Sequence, residues 1–101
     1  MVKILNSENF NDFINKDLVL VDFYASWCGP CKMLAPNVEK VDEEGLIECG
    51  KLNIDDTLDI AMSYNIQAVP YLGIFKNGKM VDKSIGYVDL AELKEFINKN
   101  I

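Results

Sequence analysis

The chain contains no histidine. A cysteine–histidine nucleophile pair is therefore excluded, and a carboxylate becomes the natural proton acceptor for any thiol chemistry. No run of about 18 apolar residues occurs, so no membrane span is expected. The opening segment, Met1-Val2-Lys3-Ile4-Leu5, enters a strand-like pattern at once. It has neither a long apolar core nor a small-residue cleavage site, so no secretory signal is expected. Lysines are scattered without a basic block, and the formal net charge is −6. That argues against a nucleic-acid partner, because a phosphate backbone calls for a basic surface. Cysteine is scarce: there are three, an odd number, and two lie close together. Such usage suits a reducing cytosol with a working thiol pair better than a disulfide-stapled secreted domain. Repeats, low-complexity tracts and linkers are absent.

What remains is 101 residues, 50% of them apolar. This length fits a single domain spanning residues 1–101, which would bury roughly two-thirds of its unfolded-chain surface. Short strands and helices alternate along it. Val2–Leu5 reads as a short strand, and Ser7 as the cap of a helix with Phe10, Phe13 and Ile14 on one face. Leu18–Ala25 is almost wholly apolar, as a central strand covered on both faces should be. A second helix begins near Cys28. Cys31, Leu34, Ala35 and Val38 fall on its inward face, Pro36 should kink it, and Gly45 is placed to end it.

Leu46–Ile54 reads as a third strand. Asp55 or Asp56 would cap a third helix with Leu58, Ala61 and Met62 inward. Tyr71–Phe75 and Lys79–Ile85 flank Lys76-Asn77-Gly78, and Asn-Gly is a strong hairpin signal. Asp89 and Glu92 form a capping-box pattern for a last helix with Leu90, Leu93 and Ile97 inward. The order βαβαβαββα predicts an α/β fold: a mixed, five-stranded central sheet flanked by four helices on both faces.

The chemistry centres on Trp27-Cys28-Gly29-Pro30-Cys31-Lys32. Two thiols two residues apart can close a disulfide within one turn. A thiol at a helix N-terminus is also made more acidic by the half-positive helix end and its unpaired N–H groups. Thiolate, not thiol, attacks a disulfide. Cys-x-x-Cys is also half of a zinc site. The other half is missing, since no histidine is present and only Cys49 is left.

Several ordered segments resemble thioredoxins. They are Val21-Asp22-Phe23-Tyr24-Ala25-Ser26-Trp27-Cys28-Gly29-Pro30-Cys31-Lys32 with Pro36, then Lys51-Leu52-Asn53-Ile54-Asp55. Val69-Pro70, Phe75-Lys76-Asn77-Gly78 and Gly86 complete the set. The likeness covers essentially the whole chain. It implies the thioredoxin fold and dithiol–disulfide exchange that reduces protein disulfides in the cytosol. It implies no bound cofactor, and a monomer whose partners are disulfide-containing client proteins and a thioredoxin reductase. Three positions depart from the pattern. Tyr24 stands where tryptophan is frequent, Cys49 is extra, and Tyr71 replaces the usual threonine after Pro70. Tyr71 is expected to border the client groove and bear on partner choice.

Within that resemblance, Cys28 at the exposed helix end is assigned as nucleophile and Cys31, one turn in, as the resolving thiol. Gly-Pro between them favours a reductant over an oxidase or isomerase. Asp22, a carboxylate inside an apolar strand, should have a raised pKa if buried and could accept the Cys31 proton. Lys51 is implied to lie near Asp22, although an ordinary surface lysine is equally consistent with the sequence. A proline before a strand can be cis or trans. The likeness implies that Val69-Pro70 is cis, faces the cysteines and pairs with client backbone like an added strand. Trp27, Gly29, Pro30, Ile54, Val69, Gly86 and Tyr87 would form an apolar docking patch around the thiol. Cys49 reads as a small buried core residue, with a regulatory thiol as the alternative.

Overall fold

The computed structural model describes residues 1–101. Its elements are β1 (Lys3–Ile4), α1 (Phe10–Ile14), β2 (Val19–Tyr24), α2 (Gly29–Glu43), β3 (Glu48–Asn53), α3 (Leu58–Ser63), β4 (Tyr71–Lys76), β5 (Lys79–Ile85) and α4 (Leu90–Asn98). The strands form one sheet in the order β1-β3-β2-β4-β5. β2 runs parallel to β3 and antiparallel to β4. β1 joins β3 in parallel, and β5 joins β4 antiparallel. The apolar run around β2 thus takes the middle of a mixed sheet, where both faces are covered.

Side chains alternate across each strand, so the sheet carries two apolar layers. Leu20, Leu72 and Ile74 pack with Leu34, Val38 and Val41 of α2 and Leu93 and Ile97 of α4. Val19, Val21, Phe23 and Phe75 pack on the other face with Phe10 and Phe13 of α1. There Phe10 meets Phe75 edge-on, ring centroids 5.9 Å apart, an arrangement that suits aromatic quadrupoles. Asp22 follows the Leu20 alternation and therefore faces the α2 side.

Local signals set the element ends. Gly45 adopts φ +72°, its N–H donates to Asp42 O and the Leu46 N–H to Val41 O, so α2 closes in a Schellman motif. Asn77 and Gly78 both have positive φ, as a two-residue type I′ hairpin requires. The Asp89 carboxylate accepts from Glu92 N–H while Glu92 accepts from Asp89 N–H, completing the capping box of α4.

Other expectations are corrected. The N-terminal strand spans only Lys3–Ile4, with Val2 and Leu5 outside it. Ser7 does not cap α1; the N-cap is Asn9, and it is Asn6 that accepts the Glu8 and Asn9 amides in the preceding turn. Asn competes well for that role because its carbonyl bonds amides two or three residues on. Thr57, not Asp55 or Asp56, is the N-cap of α3, and its hydroxyl donates back to Asn53 O instead of capping. Leu58 and Met62 face outward, 61% and 79% exposed, while Ala61 is buried. The six-residue α3 buries only a narrow stripe, and Ile60 rather than its exposed neighbours packs on the core. Ala35 is exposed on α2, since its side of the helix looks onto a cavity instead of the sheet. Tyr71 is buried against Phe23 on the α1 side, rings perpendicular at 5.8 Å, rather than edging the groove. Strand alternation sends Tyr71 and Phe75 to that face together.

Candidate active site

The end of β2 delivers the chain to the start of α2, and the two cysteines sit at that junction. Cys28 is the N-cap of α2 with extended backbone angles, and Pro30 occupies the first helical turn, where its missing N–H leaves no helical bond unmade. Cys28 and Cys31 are joined as a disulfide, with Cα atoms 5.3 Å apart. The Cys31 backbone N–H donates to Cys28 Sγ at 3.2 Å. A helix-terminal amide aimed at this sulfur favours the anionic form when the bond opens.

Cys28 was expected at an exposed helix end, yet it is only 4% exposed. It packs with Ala25 and Cys31, and Tyr24, Ile54 and Val69 lean on that cluster. Ile54 and Val69 therefore do gather at the cysteines, as covers over the disulfide. Trp27 is 70% exposed, and its indole N–H donates to Asp55 Oδ2 at 3.0 Å. Gly29 and Pro30 are exposed beside it. The Val69–Pro70 peptide is cis, and Pro70 O accepts from Gly86 N–H at 2.8 Å. Gly86 has φ +94°, a conformation glycine takes without strain. Tyr87 is exposed on the α2 flank, its hydroxyl accepting from Asn37 Nδ2 at 3.4 Å.

Behind the disulfide lies a cavity of about 230 Å³, lined by Asp22, Tyr24, Ala25, Ser26, Cys31, Lys32, Ala35 and Lys51. Most of its lining surface is apolar, and the Asp22 carboxylate and the Lys51 cation are set into it. Asp22 is 4% exposed, and its Oδ1 has no hydrogen-bond partner. Burial pushes its pKa up to about 7, and the Lys51 cation opposes the rise. Lys51 stands beside it on β3, in direct register. Tyr24, which the sequence marks only as standing where tryptophan is frequent, also lines the cavity, on the face that the two-residue period from Asp22 gives it. Asn37 left no local signal at all, because its partners lie 50 and 51 residues away.

Cys49 is wholly buried, its thiol donating weakly to Ile47 O at 3.5 Å. Burial pushes this thiol up, away from reactivity. No helix is long and apolar enough to cross a membrane.

Residues 1–99 match the protein-family model described as Thioredoxin. The chain is 46% identical over 101 residues to a thioredoxin of Chlamydia caviae, covering 99% of each sequence. It is 40% identical over 103 residues to a thioredoxin of Staphylococcus saprophyticus, covering 100% of this chain and 98% of that protein. A solved Plasmodium falciparum thioredoxin superposes with a TM-score of 0.91 at 34% identity, covering 99% of this chain and 100% of the other. Fold, thiol pair and relatives agree: the chain belongs to the thioredoxin family, whose members are protein-disulfide oxidoreductases working by dithiol–disulfide exchange.

Proposed function

We propose that this protein is a cytosolic protein-disulfide reductase in which Cys28 attacks and Cys31 resolves. The single observation that carries the assignment is the Cys31 amide directed at Cys28 Sγ from the first turn of α2. In the reduced protein the Cys28 thiolate attacks one sulfur of a client disulfide. A mixed disulfide forms, and the other client sulfur leaves as a thiolate that takes a proton from water. Cys31 then loses its proton to the Asp22 carboxylate, across the cavity that both residues line. The Cys31 thiolate attacks Cys28 Sγ, and the second client thiolate departs. Two electrons have passed to the client, and the Cys28–Cys31 disulfide remains. A thioredoxin reductase restores the dithiol. Lys51 beside Asp22 moderates the charge that forms there. Trp27, Gly29, Pro30, Ile54, Val69, Pro70, Gly86 and Tyr87 form the client-docking surface, and the protein works as a monomer and a single domain.

The direction of electron flow is tested by the reduction potential of the pair, read by equilibration in defined thiol buffers. A value well below that of the glutathione pool is expected. A value above it would make the protein an oxidase or isomerase and overturn both the direction and the reducing compartment.

A further inference from the structure

The loop Gly86–Asp89 connects β5 to α4 and is tied down on two sides. On the sheet side the Gly86 N–H donates to Pro70 O at 2.8 Å. On the helix side Asn37 of α2 donates from Nδ2 to Val88 O at 3.0 Å and to Tyr87 Oη at 3.4 Å. One amide nitrogen carries two hydrogens, so both bonds can form together. The carbonyl bond is the stronger of the two by length. Asp89 is in turn held as the N-cap of α4, so the loop has little freedom to slide.

Asn37 sits on the helix that begins at the disulfide. Pro30, Met33 and Asn37 are spaced i, i+3, i+7 and form one stripe along α2. Pro30 and Met33 are exposed, and Tyr87 with them. The hydroxyl tie puts the Tyr87 ring at the far end of this stripe. An apolar ledge then runs from the disulfide along α2 and ends on an aromatic ring. Isolated exposed apolar residues are ordinary, but two exposed apolar side chains on the stripe next to the disulfide, with an exposed ring tied to the same stripe, make a recognition feature.

We propose that Asn37 is a positioning residue: it holds the Gly86–Asp89 loop on α2 so that Tyr87 extends the ledge of Pro30 and Met33, and the ledge selects protein disulfides flanked by a large apolar side chain. The proposal rests on the disulfide-reductase reading above. Asn37 acts through Tyr87 and touches neither sulfur.

Two disulfide peptides, identical except for leucine or serine beside the attacked cysteine, separate the possibilities with dithiothreitol as electron source. The unaltered protein is expected to show the lower KM for the leucine peptide. Asn37→Ala should raise that KM about fivefold, the order of a lost hydrogen bond, while kcat stays in place. Asn37→Asp keeps the shape, loses the donor to Val88 O and can still accept from the Tyr87 hydroxyl, so its KM should fall between those of Asn37→Ala and the parent. Tyr87→Phe keeps the ring and the Val88 tie, and should lose less. A merely structural role for Asn37 would lower the unfolding temperature without splitting KM from kcat. Retention of the full leucine preference in both Asn37 variants would overturn the proposal. If the unaltered protein reduced neither peptide, the reductase reading would fall and take the ledge with it.

Discussion

Asp22 and Lys51 stand opposite each other on adjacent parallel strands, yet one carboxylate oxygen of Asp22 has no hydrogen-bond partner. The cation is near enough to moderate the carboxylate and does not outweigh its burial, so the acid is held near neutrality at about 7. A group poised there can take a proton at one step and release it at the next.

The same burial has a cost in stability. In the unfolded chain Asp22 ionises at the ordinary carboxylate range near pH 4; in the folded chain it holds its proton up to about pH 7. Within that window the folded state binds the extra proton, so stability falls as pH rises from about 4 to about 7 and stays lower above it. Tyr24, Lys32 and Lys51 line the same cavity as Asp22, Cys31 is held in the disulfide, and buried Cys49 feels the charges of Asp22, Asp42, Glu39 and Glu48. Asp22→Asn should flatten this descent and stabilise the oxidised protein at pH 8 by up to about 4 kcal/mol, a rise of some three pH units at about 1.4 kcal/mol each. Chemical denaturation across pH checks the slope. Turnover should slow without vanishing, and a pH–rate profile identical to that of the parent would remove Asp22 as the proton acceptor.

The order of the two thiols is open to trapping. With Cys31→Ser, Cys28 keeps the residue-31 amide beside its sulfur but has no resolving partner, so mixed disulfides should accumulate. With Cys28→Ser they should not. Non-reducing electrophoresis followed by mass spectrometry of the captured cysteine decides it. Equal capture by both variants would contradict the assigned roles.

Gly50 lies where β3 passes under the N-terminal segment and α1. A Cβ there would stand 2.8 Å from Leu5 Cδ1 and 2.9 Å from Phe13 Cε2. Leu5 and Phe13 are both buried in the aromatic layer, so neither can swing clear into solvent. Gly50→Ala should therefore destabilise by about 1–3 kcal/mol. In a domain of about 100 residues each kcal/mol lowers the unfolding midpoint by about 4–8 °C. A calorimetric midpoint matching the parent would show that the layer repacks freely.

Much of this architecture was legible in the sequence because its signals are local. The apolar run before Trp27 marked the central strand, Asn77-Gly78 the hairpin, Gly45 the helix end, and Asp89 with Glu92 the last cap. The misreadings share a cause: they depend on what lies across the fold. Leu58 and Met62 have inward spacing only if α3 is deeply seated, and it is not. Cys28 stands at a helix end, but Ile54 and Val69 arrive from other elements to cover it. Tyr71 follows Pro70 in the chain, but the two-residue period it shares with Phe75 decides its face. Asp22 was legible as a buried acid because charge inside an apolar strand is unusual by itself. Asn37 was not, since an amide on a helix means nothing until a loop 50 residues later is laid against it.

Cys49 sits at the bottom of the sheet with its thiol closed off on every side. Three sulfurs in one small chain could in principle pair in more than one way, and a loose fold would scramble them. Here the packing leaves a single couple that can cycle. Electrons arrive and leave as a pair, at one end of one helix, and the protein's oxidation state has only two values. The core thereby confines the redox chemistry to one pair.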